Sequence, residues 1–201
     1  MNDEAVKNVF LAIADISGYT QFIFSKDIEI EHSQYIISEL IESIIQQIKI
    51  PLQTSKLEGD AVFLYAATNN DQYTYEEIRK EVGEKLLLFF SVFHDRLHEI
   101  KETHQCACRA CSNIDALKLK IVAHSGEAFF YQINEFNELS GKDVILIHRL
   151  LKNSVSEEEY ILMTDAAYSD IKFPIHIKVR EGVENYEHLG TIKTLTYCYQ
   201  P

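Results

Sequence analysis

Apolar residues along this chain follow two rhythms. One is the unbroken run, first met at Val9-Phe10-Leu11-Ala12-Ile13-Ala14, which ends on Asp15. A short apolar run closed by a polar turn predicts a strand buried on both faces, here over residues 8–15. The other is the three-to-four repeat of an amphipathic helix. It recurs over 32–49, where Tyr35, Ile36, Leu40, Ile44 and Ile48 make one stripe before Pro51. It recurs again over 75–102, with Ile78, Val82, Leu86, Phe89, Phe90, Phe93, Leu97 and Ile100 on the inner side. Between these helices, residues 53–66 read as a hairpin turning at Glu58-Gly59.

Beyond residue 102 the pattern predicts an irregular, cysteine-bearing connector over 103–115. Strands are expected at 117–124 and 127–133, paired as a hairpin through Ser125-Gly126. A helix over 142–152 and a strand over 159–163 follow. Thr164 or Asp165 is placed to cap a short helix ending near Asp170. Strands at 174–180 and 193–199 close the chain. Tyr19, Phe22 and Phe24 are expected to pack a short first helix onto the sheet. This order predicts an α+β sandwich, with helices on a mostly antiparallel sheet. The 201 residues suit one domain, 1–201, and show no internal repeat.

Charge narrows the function classes. There are 31 acidic and 19 basic residues, a net charge of −12. The basic residues form no cluster, which argues against nucleic-acid binding. No apolar run approaches the ~20 residues of a membrane span. The start, Met1-Asn2-Asp3-Glu4, is acidic where a secretion signal is basic, and the cysteines do not form a disulfide framework. A cytoplasmic location is the expectation.

Two carboxylates carry the candidate chemistry. Asp15 lies at the exit of an apolar strand and Asp60 follows the Glu58-Gly59 turn. Each could be a turn residue; a hard divalent cation is the alternative partner for such oxygens. Four stretches occur in order: Asp15-Ile16-Ser17-Gly18-Tyr19-Thr20, Lys56-Leu57-Glu58-Gly59-Asp60, Ala123-His124-Ser125-Gly126, and Gly141 through Leu150 with Arg149. Together they resemble the catalytic domain of class III adenylate/guanylate cyclases, in a divergent bacterial branch. The resemblance spans roughly residues 8–200 and implies a ferredoxin-like core with extensions.

What that resemblance implies is specific. Asp15, the Ile16 backbone carbonyl and Asp60 would hold Mg²⁺ or Mn²⁺. Lys56 and Glu138 would read the base, a pair compatible with adenine, so ATP is favoured over GTP. Arg149 would hold a phosphate. The nucleoside triphosphate site would form between the protomers of a homodimer. Two departures count against full cyclase activity. Ile145 stands where the family has a ribose-orienting Asn, and no Lys matches the family's late phosphate ligand, Lys193 being displaced. Weak conversion to a cyclic nucleotide and pyrophosphate is one expectation; a non-catalytic nucleotide-binding regulatory or interaction module is the other.

Separately, His104, Cys106, Cys108 and Cys111 supply four soft ligands within eight positions, enough for a structural Zn²⁺. His94 or His98 could replace His104 in that set. Reduced thiols in a loop are the simpler reading. His124 reads as a satisfied core histidine.

Overall fold

A computed structural model describes residues 4–24, 30–69, 71–103 and 108–200. Its sheet is organised around β1 (Ala5–Ser17), which pairs antiparallel with β3 (Ala61–Ala67) on one side and β4 (Lys118–Ile133) on the other. Beyond β3 lies β2 (Gln53–Glu58). Beyond β4 come β6 (Tyr160–Thr164), β8 (Gly190–Cys198) and β7 (Val179–Tyr186), giving the order β2-β3-β1-β4-β6-β8-β7. Only the β4–β6 pairing is parallel among the described strands. A further strand, β5 (Phe136–Ser140), folds back on the end of β4.

The unbroken apolar run of β1 is explained by burial on both faces. Successive side chains of a strand point to opposite sides. Phe10, Ala12, Ala14 and Ile16 face α2 (Ile30–Ile45) and α3 (Tyr75–Thr103), meeting Ile36, Leu40, Phe89 and Phe93. Val9, Leu11 and Ile13 face the opposite layer, where α5 (Lys142–Leu150) contributes Val144, Ile147 and Leu150. The start of α3 is a reciprocal cap: Thr74 N–H donates to Glu77 Oε2 at 2.8 Å and Glu77 N–H to Thr74 Oγ1 at 3.3 Å. Thr164 caps α6 (Asp165–Asp170), accepting from Ala167 N–H at 3.2 Å.

Several expectations are corrected. The predicted hairpin at 117–133 is one continuous strand, β4, paired antiparallel with β1 over Lys118–Phe130. Gly126 is therefore not a turn residue. A Cβ there would lie 2.3 Å from Asp143 Oδ2 and 2.8 Å from His124 Nε2. Glycine at 126 makes room for these groups, a tertiary reason that mimics a turn signal. The turn comes instead near Asn134, whose φ of 53° is left-handed, before β5. The strand expected at 174–180 begins only at Val179 and runs to Tyr186. α2 ends at Ile45 rather than 49. Within the connector, Arg109–Ser112 form a helical turn, α4, and Ile114–Ala116 a 3₁₀ turn. Phe22, in the short first helix α1 (Tyr19–Ile23), is buried as expected, but Phe24 is 83% exposed.

Candidate functional site

The β1–β3 pairing brings the two carboxylates together. Asp15 is opposite Ala61, and the backbone carbonyl of Asp60 accepts from Ile16 N–H at 3.0 Å. Burial pushes the Asp60 carboxyl above the usual carboxylate range, and the neighbouring charge of Asp15 pushes in the same direction. Asp60's own backbone N–H and Lys120 oppose the shift. Lys120 also pairs with Asp15, Nζ to Oδ2 at 3.0 Å. One lysine thus serves two partly buried carboxylates. The residual negative charge and the oxygen-only acceptors suit a hard divalent cation. The Ile16 side chain is buried at 1% exposure and its N–H is taken by Asp60, so its backbone carbonyl is the group it could offer here.

Lys120 was not singled out by sequence. It sits inside an alternating strand and carries no motif. Its signal is register alone: β4 places Lys120 directly opposite Asp15.

Behind the carboxylates the chain turns at Gly18, whose φ of 85° is left-handed. A Cβ on Gly18 would lie 2.5 Å from the backbone oxygen of Ala116. The turn that follows the carboxylate strand is therefore seated against the connector.

Lys56 and Glu138 come from different parts of the sequence, β2 and β5. The fold joins them, with Nζ 2.5 Å from Oε2. This hydrogen bond, then the charge of Glu138, raises the Lys56 pKa against a lowering by burial. Arg149 and Ile145 occupy one exposed face of α5, four positions apart, and Ile145 is 55% exposed. Arg149 makes no ion pair among the described residues. Lys193 lies on β8 opposite Val183, exposed, in a groove with Asp165 and Glu181.

His124 is buried and satisfied on one side: Nδ1 and Thr164 Oγ1 are 2.8 Å apart. Burial lowers its pKa, while Asp143, with Oδ1 3.4 Å from Nε2, pulls the other way. Asp143 Oδ2 also accepts from Glu127 N–H at 2.8 Å. His124 is therefore part of the packing between β4, α5 and α6.

His104 and Cys106 lie outside the described residues. Cys108 precedes α4 and Cys111 lies in it, both half-buried. His94, an alternative ligand, is held elsewhere, its Nε2 3.0 Å from Glu159 Oε1 and its ring stacked on Tyr199. Among the described residues, the imidazole beside Cys108 and Cys111 is that of His32 on α2.

Comparison with known proteins fits this architecture. Over its whole length the chain superposes on the guanylyl cyclase Cya2, with a TM-score of 0.76, 10% identity and 97% of that chain covered. The adenylyl cyclase CyaB from P. aeruginosa matches with a TM-score of 0.67 and 14% identity, over 99% of this chain and 97% of that one. The guanylate cyclase domain of RhGC from Catenaria anguillulae, solved in complex with GTP, matches with a TM-score of 0.66 and 15% identity, over 98% and 100%. In sequence, the chain is 32% identical over 158 residues to the uncharacterized protein Rv2561/Rv2562 of Mycobacterium tuberculosis (strain ATCC 25618 / H37Rv), covering 79% of this chain and 71% of that one. Residues 37–160 match the model of the family described as protein of unknown function (DUF2652). The chain belongs to that family, and its fold is that of the class III adenylyl and guanylyl cyclase catalytic domains.

Proposed function

We propose that this chain binds a nucleoside triphosphate together with Mg²⁺ or Mn²⁺, as a cyclase-like domain whose turnover is weak or absent. The observation that carries the reading is the juxtaposition of Asp15 and Asp60 at the end of β1 beside the start of β3, where burial and mutual repulsion penalise the charge of Asp60. When bound, divalent metal would activate a ribose 3′-hydroxyl toward the α-phosphate and offset charge on the departing pyrophosphate. Asp15 and Asp60 hold that charge in place, with the Ile16 carbonyl as a third oxygen. Lys120 supplies the positive charge at Asp15 when no cation is bound.

Lys56 and Glu138 read the base. The ammonium donates to a ring nitrogen and the carboxylate accepts from an exocyclic amine, which suits adenine and makes ATP the expected substrate. Their ion pair supports the assignment because it holds both groups in one place before ligand arrives. Arg149 would supply a fork of donors to phosphate. In a cyclase-like homodimer it would reach the partner's nucleotide. Exposed apolar residues Leu57, Ile133, Phe136 and Ile145 support a protein–protein contact on this side of the fold.

A non-catalytic, nucleotide-binding regulatory module is the second reading, and Ile145 favours it. An apolar side chain replaces the expected ribose-orienting amide on the same helical face as Arg149. Loss of one oriented donor commonly lowers turnover by ~10²–10³. Cyclic nucleotide formation from ATP, GTP, CTP and UTP with Mn²⁺ is the test, run beside light scattering for mass. Little or no product from a dimer is expected. Ile145→Asn, at an exposed position, should raise turnover at least about tenfold. Robust wild-type turnover would overturn the eroded-site reading, and a strict monomer would remove the shared site.

Base reading carries its own prediction. Lys56→Ala should weaken ATP binding by about ten- to a hundredfold while leaving the binding of Mn²⁺-triphosphate without a base unchanged, since one charged hydrogen bond is worth about 1.5–3 kcal/mol. Equal losses for both ligands, by calorimetry, would place Lys56 at the phosphates instead.

A further inference from the structure

We propose that His32, Cys108 and Cys111 form a zinc site that ties α2 to the connector. The three come from two distant stretches of the sequence, and one ligand atom of each lies within 4.8 Å of the other two. His32 Nδ1 is 3.4 Å from Cys108 Sγ. Around tetrahedral zinc, with Zn–S about 2.3 Å and Zn–N about 2.05 Å, a nitrogen and a sulfur ligand stand about 3.6 Å apart. A thiol–imidazole hydrogen bond would account for that pair alone. It would not account for a second thiol within reach of both.

The surroundings favour a metal over water. Cys108 and Cys111 pack against the main core, to which their neighbours Ala110 and Ile114 belong. His32 and Cys111 share a cavity of about 280 Å³ with Tyr35 and the buried Ile36. Two thiolates and a neutral imidazole around Zn²⁺ sum to zero charge, so the assembly is tolerated where a lone ion is not. Cys111 N–H points at Cys108 Sγ, 3.5 Å away, and places a positive dipole end beside that sulfur. Thiolate and imidazole donors select zinc over the hard cations that suit Asp15 and Asp60. The binding step exchanges protons for metal: each thiol releases H⁺ to solvent as its S–Zn bond forms, with no redox change.

The site has a mechanical consequence. α4 leads directly into the 3₁₀ turn at Ile114–Ala116, whose last carbonyl lies against Gly18. Fixing α4 to α2 therefore steadies the turn that follows the carboxylate strand. The proposal does not depend on nucleotide binding.

Metal analysis of the full chain, purified under reducing conditions without added metal, tests it. About one zinc per chain is expected. After exchange into cobalt, thiolate-to-metal charge-transfer absorption should appear and vanish in Cys108→Ser/Cys111→Ser. His32→Ala should weaken zinc affinity on the order of 100-fold, since even an outer-shell partner of a ligand is worth 10–100-fold. His32→Cys, which keeps a ligand, should still bind zinc with an altered cobalt spectrum, so a folding failure of one variant leaves the test intact. His94→Ala, whose ring is held by Glu159 and Tyr199, should leave the affinity unchanged. Substoichiometric zinc, a Cys108–Cys111 disulfide in the reduced preparation, or zinc affinity unchanged in His32→Ala would each overturn the assignment.

Discussion

Asp15→Asn combined with Asp60→Asn is expected to abolish Mn²⁺-dependent nucleotide binding and leave the fold as stable as before. The two halves of this result separate function from structure. In the folded protein the Asp60 carboxyl is held above its ordinary value of 3.8, first by burial and then by Asp15. Its charge at neutral pH therefore opposes folding, and the amide removes that cost. Loss of the Asp15–Lys120 pair takes back up to ~1 kcal/mol, the range for a partly exposed ion pair. The sign with pH follows the same direction. The folded state holds the Asp60 proton more tightly than the unfolded state. This group's contribution therefore rises as pH falls through its raised folded value, and is complete below 3.8. A divalent cation should substitute for that proton. In wild type, nucleotide with Mn²⁺ at 100 times its dissociation constant should stabilise by about 2.7 kcal/mol at neutral pH, and the double variant should show no shift. Calorimetry in which the double variant binds as wild type would remove the carboxylate pair from the site.

Gly18→Ala should be the most destabilising single change near the site. A left-handed backbone costs a side-chain-bearing residue roughly 1–2 kcal/mol. The new Cβ would also stand 2.5 Å from Ala116 O, a backbone atom that cannot rotate away. Overpacking of this kind adds about 1–3 kcal/mol. The sum, about 3 kcal/mol, corresponds to a fall in Tm of roughly 6–12 °C for a chain of this size. Gly59→Ala is the control. Gly59 is also left-handed, with φ 71°, but nothing lies within 4 Å of its would-be Cβ. It should show the backbone penalty alone. Thermal denaturation of both variants checks this, and equal losses would mean that the contact with the connector carries nothing. Because Gly18 follows the strand that presents Asp15, nucleotide affinity should fall with stability in Gly18→Ala.

The elements that were legible share a physical cause. β1, α3 and β3 each bury a long run of apolar positions, a local pattern that survives any tertiary arrangement, while β2, which has no buried residue, is marked by the Glu58-Gly59 turn that joins it to β3. β4 carries a false turn signal, because a glycine inside a strand and a glycine in a turn look the same locally. Gly126 serves Asp143 and His124, which approach it from elsewhere in the fold. β7 was displaced because 174–180 has strand-like composition, whereas strand formation there depends on pairing with β8.

Sequence alone determined the alternation of strands and helices, the two carboxylates at strand ends, and the richness of the connector in thiols. These are properties of local pattern and residue chemistry, carried within a few positions of each other. Tertiary structure alone decided who meets whom. Lys120 reaches Asp15 through strand register, Lys56 reaches Glu138 across β2 and β5, and His32 reaches Cys108 from 76 residues away. Such contacts have no local signature, because the energy that forms them comes from burying the core on both faces of the sheet. The polar groups are carried to their partners by that packing.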